Sequence, residues 1–217
     1  MITLDRVTKF YKTAGHRKYV LRDQTIHFER GTSYGILGVN GAGKSTTMRL
    51  ISGAELPNKG RVRRAVRVSW PLGFGQGFNP MLSGKENLKF VARAYGEDHQ
   101  RVLRFVSEFA EIGSYMNEPL RTYSSGMSAR FAFGLSMAVE FDCYLVDEIT
   151  AVGDSNFQRR CRDAFNARRE RSDVIMISHD MGTIKDYCDE VLVLIDGHLV
   201  HFTDIEEGVA TYMRLNR

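Results

Sequence analysis

Tyr34-Gly35-Ile36-Leu37-Gly38-Val39-Asn40-Gly41-Ala42-Gly43-Lys44-Ser45 decides the fold. Its first residues read as a short apolar strand that runs into a glycine-rich loop. Lys44–Ile51 then reads as a helix, stopped by Gly53. Residues 38–45 fit G-x-x-x-x-G-K-[ST] at every fixed position, and they lie between strand and helix, where that chemistry needs them. The glycines let the backbone wrap a phosphate and turn N–H groups inward, and the helix N-terminus adds partial positive charge. The motif places Lys44 on the β- and γ-phosphates of a nucleotide and Ser45 on Mg²⁺.

Outward from the loop, the chain alternates between two periods. Ile2/Leu4, Val20/Leu21 and Ile26/Phe28 alternate as strands do, and residues 61–69 alternate again through Val62, Val66 and Val68. From Gly84 to about Val139 the period is helical. Leu88, Val91 and Tyr95 share one face, and Val102, Phe105, Phe109 and Ile112 another. The β/α pattern resumes at Cys143–Val146 and Val174–Ile177. Val191–Ile195, Asp196-Gly197 and Leu199–Phe202 read as a hairpin. The expected organisation is one domain over residues 1–217, with an α/β core and N-terminal antiparallel β region (1–79 and 141–217) around an inserted helical subdomain (80–140).

Composition bounds the function. A hydrophobic content of 43% and a charged content of 26% over 217 residues exclude a disordered, collagenous or disulfide-stapled chain. The formal charge of +4 is a weak field, compatible with an anionic ligand or a membrane surface and demanding neither. Apolar runs such as Val191–Ile195 fall far short of the roughly 18–20 residues that cross a bilayer. Met1-Ile2-Thr3-Leu4-Asp5-Arg6 does not read as a signal peptide, and Cys143, Cys161 and Cys188 read as reduced thiols in the core of a cytoplasmic protein.

Two further strand ends carry chemistry. Tyr144-Leu145-Val146 ends in Asp147-Glu148; Asp147 is placed to hold Mg²⁺ directly or through water, and Glu148 to act as general base on a water attacking the γ-phosphate. Alone, adjacent acids at a strand end fit a solvated loop equally well; the loop at 38–45 tips the reading. His179, in Ser178-His179-Asp180 after Val174–Ile177, reaches the same side of an open parallel sheet, where it contacts the γ-phosphate or orients the water. Thr122-Tyr123-Ser124-Ser125-Gly126-Met127 puts small residues at the head of a helix expected over Ala129–Val139, a second anion site. Two separated phosphate sites, only one with a lysine, suggest a ligand shared between two copies.

With these residues the sequence resembles, over essentially its whole length, the ATP-binding subunits of ABC transporters. Tyr123–Met127 matches the family's L-S-G-G-Q signature at Ser124 and Gly126, with Ser125 for the first glycine and Met127 for the glutamine. The resemblance implies an α/β fold with a P-loop NTPase core of ABC type, ATP hydrolysis with Mg²⁺, and a head-to-tail homodimer in which Ser124, Ser125 and Gly126 of one copy close over the ATP of the other. It implies Tyr11 stacked on adenine, and Gly38, Asn40, Gly41, Ala42, Gly43, Lys44, Ser45 and Thr46 around the phosphates. It further implies Asp154 in the loop that crosses the interface, His179 as the switch histidine, and Gln76, with Asn79 as alternative, as the switch-loop ligand of Mg²⁺ beside Ser45 and Asp147.

Trp70-Pro71-Leu72-Gly73, Leu82-Ser83-Gly84-Lys85-Glu86-Asn87, Phe133–Ala138 and Asp147–Asp154 are most similar to the capsular polysaccharide exporters of that family. That similarity implies a peripheral subunit on the cytoplasmic face of the inner membrane, bound to a separate integral-membrane permease that handles the polysaccharide. Related O-antigen and teichoic acid ATPases share part of the pattern, and some carry a C-terminal sugar-binding domain; a chain stopping at Arg217 fits the capsule type. The alternative is a soluble ABC-type ATPase acting on nucleic acid or the ribosome, with arginines 159, 160, 162, 168, 169 and 171 as its face. The weak net charge favours a solvated helix there, and no nucleic acid is expected. A kinase with the same loop would have no use for residues 122–127 or Asp154.

Overall fold

The computed structural model describes residues 1–13, 15–72, 77–147 and 154–216. The chain forms two compact units: Met1–Pro71, Phe141–Ile149 and Ser172–Arg217 in the first, Leu72–Glu140 and Thr150–Arg171 in the second.

The first unit opens with a hairpin of β1 (Ile2–Thr13) and β2 (His16–Phe28), to which β4 (Lys59–Arg64) adds antiparallel on the far side of β1. The register on β2 passes from Leu21 opposite Lys9 to Tyr19 opposite Phe10, leaving Val20 as a bulge. A six-stranded sheet runs in the order β5 (Val68–Leu72), β6 (Cys143–Asp147), β7 (Asp173–Ile177), β3 (Tyr34–Leu37), β8 (Glu190–Ile195), β9 (His198–Phe202). The β6–β7, β7–β3 and β3–β8 pairs are parallel, and β8–β9 is antiparallel. Asp196 and Gly197 both take positive φ, 49° and 85°, as the two-residue turn of the expected hairpin requires. The residues of β3 are buried throughout, which is why the strand reads as a plain apolar run rather than an alternation.

Helix α1 (Lys44–Ser52) packs against β2 and β6, and Gly53 closes it in the left-handed conformation with its N–H on the carbonyls of Arg49 and Leu50. Leu4, Leu21 and Phe28 of the antiparallel sheet, Ile36, Leu145 and Ile175 of the larger sheet, and Met48 of α1 form one buried cluster. The alternation over 61–69 spans both sheets. The Ala65 N–H bonds the Met1 carbonyl, and the Arg67 N–H bonds Asp142, so the chain leaves one sheet and enters the other within three residues.

The second unit holds α2 (Gly84–Tyr95), α3 (His99–Ala110), α4 (Ser125–Ala138) and α5 (Ser155–Arg169). Helix α2 begins with a capping box in which Ser83 and Glu86 satisfy each other's backbone N–H groups. Residues 150–171, adjacent to core strands in the sequence, join this unit through α5. Phe157 packs edge-on against Phe109 at 5.5 Å, Arg160 donates to the carbonyls of Glu108 and Phe109, and Arg168 donates to that of Met137. Arg160 and Arg168 are thus committed to packing. No helix among the described residues is long and apolar enough to cross a membrane. Two further α-helices, α6 (Met181–Tyr187) and α7 (Ile205–Leu215), belong to the first unit.

Candidate nucleotide-binding and hydrolysis site

Because β3 lies between β7 and β8, its C-terminal end delivers the glycine-rich loop to the middle of the sheet edge. Parallel pairing brings Asp147, last residue of β6, and the residues after Ile177 to that same edge. The loop turns into α1 at Gly43, which has φ 114° and takes the N-cap position without a side-chain cap. A Cβ at Gly43 would overlap the Val20 Cγ1 methyl, so the bulge in β2 and the glycine fit each other. The Lys44 side chain is 8% exposed and curls back over the loop, its Nζ donating to the Gly38 carbonyl at 2.6 Å and the Val39 carbonyl at 3.3 Å. His179 sits between the end of β7 and α6, whose N-cap Asp180 accepts the N–H groups of Gly182 and Thr183.

A cleft of about 400 Å³ gathers these groups: Tyr11, Asn40, Gly41, Gly43, Lys44, Ser45, Thr46, Asp147 and His179 all line it. Gly38 and Ala42 lie on the loop's other side, against a second cavity of about 520 Å³ with Leu194 and Tyr212. Ser45 and Asp147 offer hydroxyl and carboxylate oxygens, the hard donors that suit Mg²⁺, and among the described residues no group of three His, Cys, Asp or Glu side chains offers another metal site. Gln76 and Glu148 lie outside the described residues. Asn79 uses its side-chain oxygen on the Met81 N–H at 2.9 Å, while its backbone N–H bonds Asn87.

The other expected residues belong to the second unit. Helix α4 begins at Ser125, four residues earlier than the apolar pattern indicates, because Ser124 caps it: its Oγ accepts the Met127 N–H at 3.2 Å. Ser125 and Gly126 therefore stand in the first turn. Asp154 caps α5, accepting the N–H groups of Asn156 and Phe157, and its other oxygen takes a 2.8 Å bond from Arg130. The Phe157 N–H, with Arg130 alongside, holds the Asp154 carboxyl below its ordinary pKa. The three cysteines are free; burial pushes the Cys143 thiol up, and that of Cys161 to about 12.

Sequence reasoning missed four residues at the Tyr11 side of the cleft. Lys18 and Arg49 line it, and Lys9 and Glu55 stand behind Tyr11. Lys18 is legible in retrospect: the hairpin closes at Thr13 opposite His16, so counting two residues back along each strand pairs Tyr11 with Lys18.

A glycine-rich loop at the centre of a mostly parallel sheet, with an acid at the end of β6 and a histidine just after β7 on the same edge, defines a nucleoside-triphosphate hydrolase. Residues 21–151 match the ABC transporter family, and the chain belongs to that family of ATPases. It is 47% identical over 216 residues to the capsule polysaccharide export ATP-binding protein CtrD of Neisseria meningitidis serogroup B (strain ATCC BAA-335 / MC58), covering 99% of this chain and 100% of that one. It is 46% identical to the ATP-binding protein BexA of Haemophilus influenzae (98% of each chain), and 45% identical to the polysialic acid transport ATP-binding protein KpsT of Escherichia coli (99% of each). Among solved structures, the dimeric post-hydrolysis state of the ATP-binding cassette MJ0796 bound to ADP and Pi matches with a TM-score of 0.74 at 21% identity, over 92% of this chain and 96% of that one. That likeness confirms the fold.

Proposed function

We propose that this chain powers export of a capsular, or related cell-surface, polysaccharide across the inner membrane. It would hydrolyse ATP at the cytoplasmic face while a separate permease carries the glycan. The observation that carries this reading is end-to-end identity of 45–47% with ATP-binding proteins named for capsule polysaccharide export and polysialic acid transport.

In the proposed cycle two copies meet head to tail. ATP lies with its base on Tyr11 and its phosphates in the loop 38–46, and the helix start at Ser124, Ser125 and Gly126 of the other copy meets the γ-phosphate. Lys44 exchanges the carbonyls of Gly38 and Val39 for phosphate oxygens. Glu148 takes the proton of the attacking water, His179 orients that water, and Asp154 stands at the interface. Ser45, Asp147 and Gln76 would hold Mg²⁺, which when bound supplies positive charge against the phosphate oxygens. Closure follows because ATP contacts two copies in the closed pair and one in the open state; a ligand shifts an equilibrium only by such a difference. After hydrolysis the bridge weakens and the pair opens, and the helical unit transmits that motion to the permease.

The test is purification from membranes of cells that make the glycan. The expected result is an integral-membrane subunit copurifying with this chain, and glycan retained inside cells carrying Lys44→Ala. Copurification with ribosomes or nucleic acid, with glycan reaching the surface normally in that variant, would refute the proposal.

A further inference from the structure

Beside the nucleotide cleft, three elements converge on one carboxylate. Glu55, in the loop after α1, accepts the Tyr11 hydroxyl at 2.7 Å and pairs with Lys9 Nζ at 2.7 Å through the same oxygen, Oε1. Its Oε2 accepts Arg49 Nε at 3.0 Å. Arg49 continues the chain: Nη2 donates to Thr46 Oγ1 at 2.9 Å and lies 3.4 Å from the Tyr11 hydroxyl. Lys9 is 8% exposed and also donates to the Leu56 carbonyl at 2.9 Å. Strand β1, helix α1 and the loop after it are thus joined through a single acid.

The geometry carries a consequence for Tyr11. Its ring is 38% exposed at the mouth of the cleft, and nothing about a strand position fixes the plane of such a ring. What fixes it is the hydroxyl, tied to an oxygen that two cations hold in place. Stacking depends on the attitude of the platform as well as on its presence. An anchored ring meets an incoming base ready to stack, whereas a free ring must be ordered at a cost in entropy.

We propose that Glu55 is a positioning residue for base recognition: by anchoring the Tyr11 hydroxyl it makes the site prefer nucleotides with a large stacking base over bare polyphosphate. This rests on the reading of Tyr11 as the platform for the base. Lys9 and Arg49 serve the same end, because they stop the Glu55 carboxylate from turning towards solvent. Glu55 acts on the base end of the cleft and leaves the phosphate loop to Lys44.

The experiment measures dissociation constants of Mg-ATP, Mg-UTP and Mg-tripolyphosphate by calorimetry on the full chain. The variants are Glu55→Ala, Glu55→Gln, Tyr11→Phe and the Glu55→Ala/Tyr11→Phe pair. Loss of the anchor removes part of a stacking contact, so each of Glu55→Ala and Tyr11→Phe should weaken ATP by about three- to tenfold and narrow the ATP-to-UTP ratio. The pair should bind ATP no more weakly than the worse of its two members, because both changes remove the shared Tyr11–Glu55 bond. Tripolyphosphate affinity should hold in every variant. Glu55→Gln should recover part of the loss, since its amide oxygen still accepts the hydroxyl.

Additive losses, unchanged ATP affinity, or tripolyphosphate affinity falling in step with ATP would each overturn the proposal. The last would mean that Glu55 merely braces α1 through Arg49 and Thr46. Should Glu55→Ala fail to fold, Tyr11→Phe and Glu55→Gln decide by the same readings. Tyr11→Ala separates the premise from the anchor: unchanged ATP affinity there would overturn the platform itself, and the proposal with it.

Discussion

Replacing Gly126 by alanine separates what the fold needs at that residue from what a partner needs. Gly126 is the second residue of α4, outside the left-handed region, and a Cβ there would meet only Ser124 Oγ at 3.9 Å, an ordinary contact. Nothing within the described residues of this chain requires a glycine. Alanine in a helix is favoured over glycine by roughly 0.5–1 kcal/mol, which for a chain of this size raises the thermal midpoint by about 1–4 °C. ATP binding to the isolated chain should be unchanged, because Gly126 does not line the cleft. If the α4 start closes over a second copy's ATP, the added methyl stands between backbone N–H groups and phosphate, and a misplacement of about 1 Å can cost on the order of 100-fold. The expected outcome is a slightly more stable protein that binds ATP normally and hydrolyses it at least about tenfold more slowly with its permease. The assay pairs calorimetry with phosphate release from proteoliposomes. A stabilised variant turning over within about twofold of wild type would refute the reasoning, since the glycine would then serve neither fold nor ligand.

Lys44→Ala should abolish tight ATP binding in a direct titration, the ammonium being the one full positive charge wrapped into the loop. Gly43→Ala should destabilise the chain by roughly 2–5 kcal/mol, from strain at a left-handed φ and overlap with Val20, and a urea midpoint measures it. Burial alone would raise the Glu55 pKa, but bonds from Lys9, Tyr11 and Arg49 outweigh it and hold the group at about 2, against an ordinary 4.5. The stability it contributes is therefore complete above about pH 4.5 and lost as pH falls towards 2, so the stability gap between wild type and Glu55→Gln should shrink across that window in acid titrations followed by denaturation. Lys18 is exposed and lines the cleft, so Lys18→Met should weaken ATP only about two- to fivefold at low salt, with the effect fading as ionic strength rises.

What the sequence made legible is what is local along the chain. The loop at 38–45 combines a spacing, a strand before it and a helix after it within some twenty residues, and Asp147 and His179 each come at the end of an apolar run that reads as a buried strand. The alternation over 61–69 gave no sign of a break, because Val62 and Val68 obey the same period on two different sheets. The start of α4 was hidden for a related reason. Its first turn, Ser125-Gly126-Met127-Ser128, holds a single apolar side chain, so hydrophobic periodicity begins only later, while the cap at Ser124 leaves no apolar mark. The attachment of α5 to the helical unit rests on Phe157 and on arginines reaching carbonyls some 30 to 50 residues away, contacts that periodicity cannot encode. The Glu55 anchor joins residues on three elements, and Gly53 interrupts the helical spacing between Arg49 and Glu55, so no pattern points to it.

The two proposed anion sites differ in a way that bears on control. At the loop, Lys44 is already desolvated and rests on carbonyl dipoles, so a phosphate replaces weak partners with a full opposite charge. At Ser124 the site is a helix start with one serine cap and no acidic or basic side chain in its first turn. A helix N-terminus contributes only about 0.3–1 kcal/mol towards an anion at an exposed site, rising to ~2 when partly buried. Two such contacts in a symmetric pair reach roughly 1–4 kcal/mol, at or below the low end of the 4–15 kcal/mol that association costs in lost freedom of motion. In the proposed cycle, triphosphate binding through these contacts alone would therefore bias a pair already held near one another rather than assemble one from dilute solution. The permease of the proposed cycle would supply that nearness as effective concentration. The asymmetry between a lysine-bearing loop and a bare helix start would thus suit a switch in the proposed cycle: one copy would hold the nucleotide firmly, and its γ-phosphate would tip a weak contact with the other.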